Sequence, residues 1–121
     1  IPVPWVLGVI YAESRGNPEA KSPAGAIGLM QLHSKEARAG LPDATLVDPA
    51  TNILLGTQFL QRIKRPGDQL PEVASKYNAG MEANGRPHPS KVSSWGMREQ
   101  PGYIETVVRA SNYAAGLGGN G

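Results

Sequence analysis

Apolar residues recur every three or four positions along several stretches of the chain, the pattern of helices that bury one face. The first such stretch spans about 4–14, opens with a proline in its first turn and is stopped by Gly16. The segment 17–28 is too rich in Gly, Pro, Ser and Ala for a helix, and we expect it to hold short extended pieces. A second helix is predicted over about 29–39, with Gly40 as its stop.

The third helix has the clearest boundaries in the sequence. Asp48 is placed to cap its N-terminus, Pro49 takes the first helical position, and the Pro-Gly pair at 66–67 terminates it. A fourth helix is predicted over 71–79, and a last helix starts at Pro101. The pattern therefore predicts about five helices.

The remaining segments fix the expected architecture. The stretch 81–100 is loop-like, and no strand of convincing length appears. We expect a mainly α fold, a single domain over 1–115 with a very short β element at most, and long loops that could form a groove. The tail 116–121 is glycine-rich and has the composition of a linker.

Composition narrows the class of protein. The 121 residues suit one domain, and the absence of cysteine excludes disulfides and thiolate metal sites. The net charge of +2 mildly favours an anionic polymer such as cell wall, whereas no dense basic patch supports nucleic-acid binding. No apolar run approaches the roughly 20 residues of a membrane span. Because the chain starts at Ile1, we read it as a mature form or as part of a longer protein, and nothing in it requires more than a monomer.

Glu13 is the most informative residue. Val6, Val9, Ile10 and Glu13 are spaced i, i+3, i+4 and i+7, which places the carboxyl group on the stripe that should face the core. Burial disfavours the charged form, so it would raise the pKa of Glu13 and make it a usable general acid near neutral pH. The spacing alone leaves another interpretation open, in which Glu13 bends out to water or pairs with Arg15 at the end of the helix.

Two segments after Glu13 have both a structural and a functional interpretation. Ser14 can bond its own backbone at the helix end or face a ligand. The glycines of 25–31 allow close approach of backbone to a neighbour or a ligand, although a tight loop before a helix explains them equally well. Gln31 ends this segment and offers a donor and an acceptor, as sugar hydroxyls and acetamides require.

Two later segments carry aromatic and amide side chains. The stretch 74–80 places Tyr77 on the apolar face of the fourth helix and Asn78 near its end, although an ordinary helix stop also accounts for it. Tyr103 lies in the first turn of the last helix, where it could equally be a core or rim aromatic. Each cluster alone is a weak functional signal.

Taken in order, the clusters resemble the catalytic domain of soluble lytic transglycosylases, which is related to goose-type lysozyme. The matching motifs are Glu13-Ser14, Gly28-Leu29-Met30-Gln31, Tyr77-Asn78-Ala79-Gly80 and Tyr103-Ile104. Asp48-Pro49 with Asn52-Ile53 and Gly56 also looks like the middle helix of that family. The resemblance covers nearly the whole chain and implies a lysozyme-like fold with a substrate groove.

The resemblance also implies a site and a reaction. Glu13 would be the single catalytic acid and base, and the residues that bind substrate would be Ser14, Gly28, Met30, Gln31, Tyr77, Asn78, Ala79 and Tyr103. Glu13 would protonate the β-1,4 oxygen between N-acetylmuramic acid and N-acetylglucosamine, with help from the muramic acetamide. It would then deprotonate the C6 hydroxyl, which closes a 1,6-anhydro ring. The implied substrate is the glycan strand of peptidoglycan, the location is extracytoplasmic, and no metal or cofactor is required.

Departures from the family pattern leave some roles open. His33 stands where the family has proline, and the usual lead-in to Tyr103 is replaced, which weakens the role assigned to that tyrosine. Trp95 could stack on a sugar ring or lock its loop to the core.

Three other functions remain open from the sequence. The first is a goose-type lysozyme hydrolase with Glu82 as a second carboxylate, and the second is a glycan-binding domain without activity. The third is a phage-tail or secretion-machine component that opens the wall locally.

Overall fold

The structure, a computed structural model, describes residues 1–79, except for the side chain of Ala79, and residues 102–116. Within these ranges it contains six α-helices: α1 (Val3–Ser14), α2 (Lys35–Arg38), α3 (Asp43–Leu46), α4 (Pro49–Ile63), α5 (Leu70–Ala79) and α6 (Tyr103–Ala114). The mainly α fold predicted from the sequence is confirmed. The loop expected over 81–100, the helix start at Pro101 and residues 117–121 of the expected tail lie outside the described residues.

Helices α1 and α6 make the most extensive helix–helix contact in the described structure, and this pair positions the candidate acid. A Cβ atom on Gly8 of α1 would lie 2.5 Å from the carbonyl oxygen of Val107 and 3.1 Å from the Cβ of Ser111. Only glycine therefore permits this separation between the two backbones. Since Gly8 faces Val107 and Glu13 faces Tyr103, the helices run in opposite directions, and the end of α1 meets the start of α6.

The boundaries of α4 agree with the sequence expectation. The Asp48 carboxylate accepts a hydrogen bond from the backbone N–H of Thr51 at 3.0 Å, and Pro49 occupies the first turn. The backbone hydrogen bond and the hydroxyl of Thr51 hold the pKa of Asp48 below its usual value. Phe59, Leu60 and Ile63 are buried in the core and define the inward face of this helix.

The second predicted helix is wrong over most of its length. Residues 29–31 form a turn instead, and the helix is only the single turn Lys35–Arg38. The backbones of Ile27 and Leu32 exchange hydrogen bonds at 3.1 and 3.0 Å, and a second isolated bridge joins Lys21 to Ile27. These bridges are the very short β element that the sequence allowed.

A further short helix, α3, was not predicted. It follows Pro42, which has no backbone N–H and fits before a first turn, and it buries Leu46 completely. No helix within the described ranges is long and apolar enough to cross a membrane. Since α6 ends at Ala114, the boundary placed between 115 and 116 stays a prediction.

Candidate active site

Glu13 lies at the end of α1, half-buried, with its carboxylate against the first turn of α6. The hydroxyl of Tyr103 donates a hydrogen bond to Oε2 of Glu13 at 2.8 Å. Tyr103 itself is only 4% exposed, so the bond is shielded from water on the phenol side. The alternative in which Glu13 simply bends out to solvent is therefore excluded, because its carboxylate is held by a buried donor.

Two buried tyrosines lie within range of the charge on Glu13. Burial raises the pKa of Tyr103 well above its usual value, and the carboxylate of Glu13 raises it further. Burial, and secondarily the same carboxylate, also raises the pKa of Tyr77 well above its usual value. Both phenols therefore stay protonated at any ordinary pH, so Tyr103 remains a hydrogen-bond donor to Glu13.

Asn52, a completely buried side chain of α4, binds the turn 28–31. Its amide oxygen accepts the backbone N–H of Met30 at 2.8 Å. Its amide nitrogen donates to the carbonyl oxygens of Ile27 and Leu46 at 3.0 and 2.9 Å. One side chain thus binds three buried backbone groups, those of Ile27, Met30 and Leu46.

Tyr77 joins the same turn to α5. Its hydroxyl donates to the carbonyl oxygen of Met30 at 2.5 Å, and its ring meets Phe59 edge-on with the ring centres 5.8 Å apart. Since the single proton of the Tyr77 hydroxyl goes to Met30, it is Tyr103 that donates to the acid. The two tyrosines therefore have different tasks: one holds the carboxyl group and the other holds the turn.

Gln31 is buried and has a positive φ of 51°, a backbone conformation uncommon for a residue other than glycine. Its amide nitrogen donates to the carbonyl oxygens of Ala20 and Gly28, at 3.0 and 2.9 Å. Both amide protons are thus used within the loop, contrary to the sequence expectation that Gln31 offers a donor to a ligand. Its amide oxygen is the group left to accept a hydrogen bond.

Ser14 is buried at the end of α1 and bonds its own backbone. Its hydroxyl donates to the carbonyl oxygen of Ile10 at 3.1 Å and accepts the N–H of Gly16 at 3.2 Å. Because a hydroxyl has one proton and two lone pairs, one acceptor position remains. Ser14 can therefore bind a ligand only as an acceptor while this cap is in place.

The remaining expected binding residues are Gly28, Met30, Asn78 and Ala79. Met30 is completely buried and Gly28 is buried with both backbone polar groups bonded, so in this structure they shape the turn rather than reach a ligand. Asn78 is half-buried on α5, next to the end of the described segment. The structure does not describe the side chain of Ala79. It also does not describe Glu82 or Trp95. His33 is half-buried, with Nε2 2.8 Å from the carbonyl oxygen of Ala24.

Glu13 is the one carboxyl group, within the described ranges, whose charge acts on the two buried tyrosines. Asp43 and Asp68 form ion pairs, with Arg38 and Lys76 respectively, and these partners lower their pKa values. Other acidic side chains of these ranges are exposed: Glu19, Glu36, Asp48, Glu72 and Glu105. The same part of the chain contains no group of three His, Cys, Asp or Glu side chains arranged to hold a metal.

Asn52 is the site-supporting residue whose role sequence reasoning missed. In the sequence it belongs only to a family-like helix motif. A signal is nevertheless present, because Asn52 lies four residues before Gly56 and eight before Leu60, so it shares one helix face with an apolar residue. A buried amide on such a face requires hydrogen-bond partners from outside its own helix.

Within the described residues, the structure is a helical domain in which the carboxyl group of Glu13 is held by the buried phenol of Tyr103. Comparison with known proteins identifies the family. The family model described as Transglycosylase SLT domain matches residues 1–94. The chain belongs to this family.

Individual relatives agree with this assignment. The chain is 32% identical over 118 residues to the soluble lytic murein transglycosylase of Escherichia coli K12, covering 89% of this chain but 17% of that protein. It is 37% identical over 81 residues to the transglycosylase of Enterobacteria phage PRD1, covering 65% of this chain and 30% of the relative. The crystal structure of the 70 kDa soluble lytic transglycosylase of Escherichia coli superimposes with a TM-score of 0.71 at 28% identity, covering 96% of this chain and 22% of that one. The chain thus spans about a sixth to a third of the length of these relatives.

Proposed function

We infer that this domain cleaves the β-1,4 bond between N-acetylmuramic acid and N-acetylglucosamine in peptidoglycan and leaves a 1,6-anhydromuramic end. The observation that carries this proposal is the half-buried carboxyl group of Glu13, held by a buried phenol at 2.8 Å, in a member of the transglycosylase family. The relatives are named lytic murein transglycosylase and transglycosylase, which supports the substrate class.

Glu13 acts first as acid and then as base. The protonated carboxyl group gives its proton to the glycosidic oxygen as the bond to the anomeric carbon breaks, and the muramic acetamide stabilises the cationic carbon. The ionised Glu13 then takes the proton of the C6 hydroxyl, whose oxygen bonds to the anomeric carbon. Because the nucleophile is already part of the substrate, its proximity replaces a second carboxylate.

The surrounding residues have complementary tasks in this proposal. Tyr103 orients the carboxyl group and favours its ionised form between the two steps. The acceptor positions on Ser14 and Gln31 receive hydrogen bonds from sugar hydroxyl and acetamide N–H groups. The half-buried side chain of Asn78 would also contact the sugar. Action on peptidoglycan places the domain outside the cytoplasm, as part of a longer protein of a cell or a phage.

Mass spectrometry of digested peptidoglycan tests the chemistry. We expect muropeptides that end in 1,6-anhydromuramic acid, lighter by one water than the corresponding reducing ends. Digestion of the same peptidoglycan by a hydrolytic lysozyme serves as the control. Reducing ends as the main product would contradict intramolecular attack and would instead support hydrolysis.

Replacing Tyr103 by Phe should change the pH dependence of cleavage. The phenol donates to the charged form of Glu13, so its removal disfavours that form and raises the pKa of the carboxyl group relative to the unaltered protein. Activity that requires a protonated acid is lost as pH rises through that pKa, so the alkaline limb of kcat/KM should move to higher pH. The maximal rate should fall about tenfold, the loss of one hydrogen bond to a charged group.

Tyr113→Phe is the matched control, because Tyr113 lies on the same helix and is 71% exposed. Its pH profile should coincide with that of the unaltered protein. Since the pKa of Tyr103 is raised far beyond the range of the assay, the alkaline limb cannot report its own ionisation. A limb that stays in place, or moves to lower pH, in Tyr103→Phe would contradict the role assigned to this bond.

A further inference from the structure

Two hydrogen bonds connect α4 to α5 through Met30 of the turn 28–31, and two more hold Asn52 to neighbouring backbone. Asn52 receives the N–H of Met30 and donates to Ile27 and Leu46, and the carbonyl oxygen of Met30 in turn receives the hydroxyl of Tyr77. The two faces of one peptide segment at Met30 are therefore fixed by two side chains from different helices. Displacing either partner changes the position of the turn between them.

Packing leaves the turn little room for another position. A Cβ atom on Gly28 would lie 2.2 Å from the amide nitrogen of Asn52, so the backbone of the turn rests directly on that side chain. A Cβ atom on Gly56, one helical turn after Asn52, would lie 2.3 Å from the sulfur of Met30. The turn thus contacts two successive turns of α4. Asn52 of α4 packs against Gly28, and the thioether of Met30 packs against Gly56 of α4.

The turn at Met30 is connected to Glu13 through Tyr77. Gln31 follows Met30 and has a positive φ at the end of this turn. Tyr77, the other partner of Met30, lies close enough to Glu13 for the carboxylate to act on it electrostatically. Asn52 is completely buried, so it cannot touch a substrate, yet it bonds the residue that precedes Gln31 and that accepts the Tyr77 hydroxyl.

We propose that Asn52 is a positioning residue of the active site, which acts through Met30 on Tyr77 and Gln31 and thereby sets the rate of the chemical step. This proposal rests on the proposed function of the domain. It goes beyond that function because it assigns a kinetic role to a buried amide of the middle helix. A merely structural Asn52 would change the melting temperature and leave the rate of the folded protein unaltered.

The first experiment compares Asn52→Ala with a variant of similar stability. Ile63→Ala removes a buried side chain of the same helix away from the turn, and it should lower the melting temperature by a similar amount. Both are assayed on soluble, uncross-linked glycan strands at a temperature where circular dichroism shows them folded. We expect Asn52→Ala to lose about tenfold in kcat with KM within about twofold, and Ile63→Ala to keep its kcat.

The second experiment tests the route of the effect with a double-mutant cycle. If Asn52 acts through Met30 on Tyr77, the kcat of Asn52→Ala/Tyr77→Phe should be close to that of the worse single variant. Multiplicative losses would overturn the proposed route. Where Asn52→Ala does not fold, Asn52→Ser replaces it in both experiments, because its hydroxyl keeps one donor and one acceptor.

Two results of the first experiment would overturn the proposal: an unchanged kcat at reduced stability, or a rise in KM alone. The products distinguish this failure from a failure of the proposed function. Asn52 variants should still release anhydromuramic ends, only more slowly. Reducing ends from the unaltered protein would refute the transglycosylase reaction, whereas the comparison of rates would still decide whether Asn52 positions the site.

Discussion

Glu13→Gln should lower the rate of peptidoglycan cleavage by about three orders of magnitude, since general acid–base catalysis typically contributes 10²- to 10⁴-fold. In the proposed reaction the same group gives and then takes the proton, and an amide does neither. The fold should remain intact, because glutamine has the size of glutamate and its amide oxygen can still accept the hydroxyl of Tyr103. Turbidity loss of purified cell walls measures the rate, and thermal unfolding measures the fold.

Glu36→Gln makes the same chemical change at an exposed position of α2 and serves as the control. Its activity should equal that of the unaltered protein. If Glu13→Gln kept more than about a tenth of the activity, a second acid would have to carry the reaction. This result would move the assignment toward a hydrolase with another carboxylate.

The sequence was most successful where local signals alone decide the structure. Asp48 followed by Pro49 defines a helix start by capping and by the fixed φ of proline, and neither depends on the rest of the fold. The end of α1 was predicted by the same kind of local signal. The position of Glu13 on a core-facing stripe also followed from spacing, and the structure shows the carboxyl group half-buried there.

The second helix shows where local reasoning fails. Leu29, Met30 and Leu32 are apolar and good helix formers, so the segment 29–39 has the composition of a helix. In the folded chain the N–H of Met30 is bonded to a residue 22 positions away, and Leu32 pairs with Ile27. These bonds outweigh helical propensity and leave a turn with a left-handed residue at 31.

The sequence predicted which residues form the site better than it predicted the hydrogen bonds between them. The family-like order of motifs identified Glu13 and Tyr103, which the structure joins by a hydrogen bond across 90 positions of sequence. It did not show that both donors of Gln31 are used by the loop, nor that Met30 is sealed from solvent. Such assignments require knowledge of which backbone groups lie nearby, and residue types do not contain this information.

Gly28→Ala should lower the free energy of unfolding by about 3 kcal/mol, the sum of backbone strain and overpacking against fixed neighbours. Gly28 has a φ of 82°, and its added Cβ would lie 2.2 Å from the amide nitrogen of Asn52 and 2.9 Å from the carbonyl oxygen of Leu46. Asn52 cannot move away without breaking its hydrogen bonds to backbone groups. Urea unfolding measures the loss, and the melting temperature should fall by roughly 10–15 °C.

Gly67→Ala separates the two contributions, because Gly67 has a φ of 86° but nothing within 4 Å of its added Cβ. It should show the backbone strain alone, about 1 kcal/mol. The difference of about 2 kcal/mol then measures how tightly the turn rests on Asn52. Equal losses in the two variants would mean that Asn52 and the turn can move apart at little cost. The anchoring of the segment that Gln31 follows and that the Tyr77 hydroxyl binds would then be far weaker than the structure indicates.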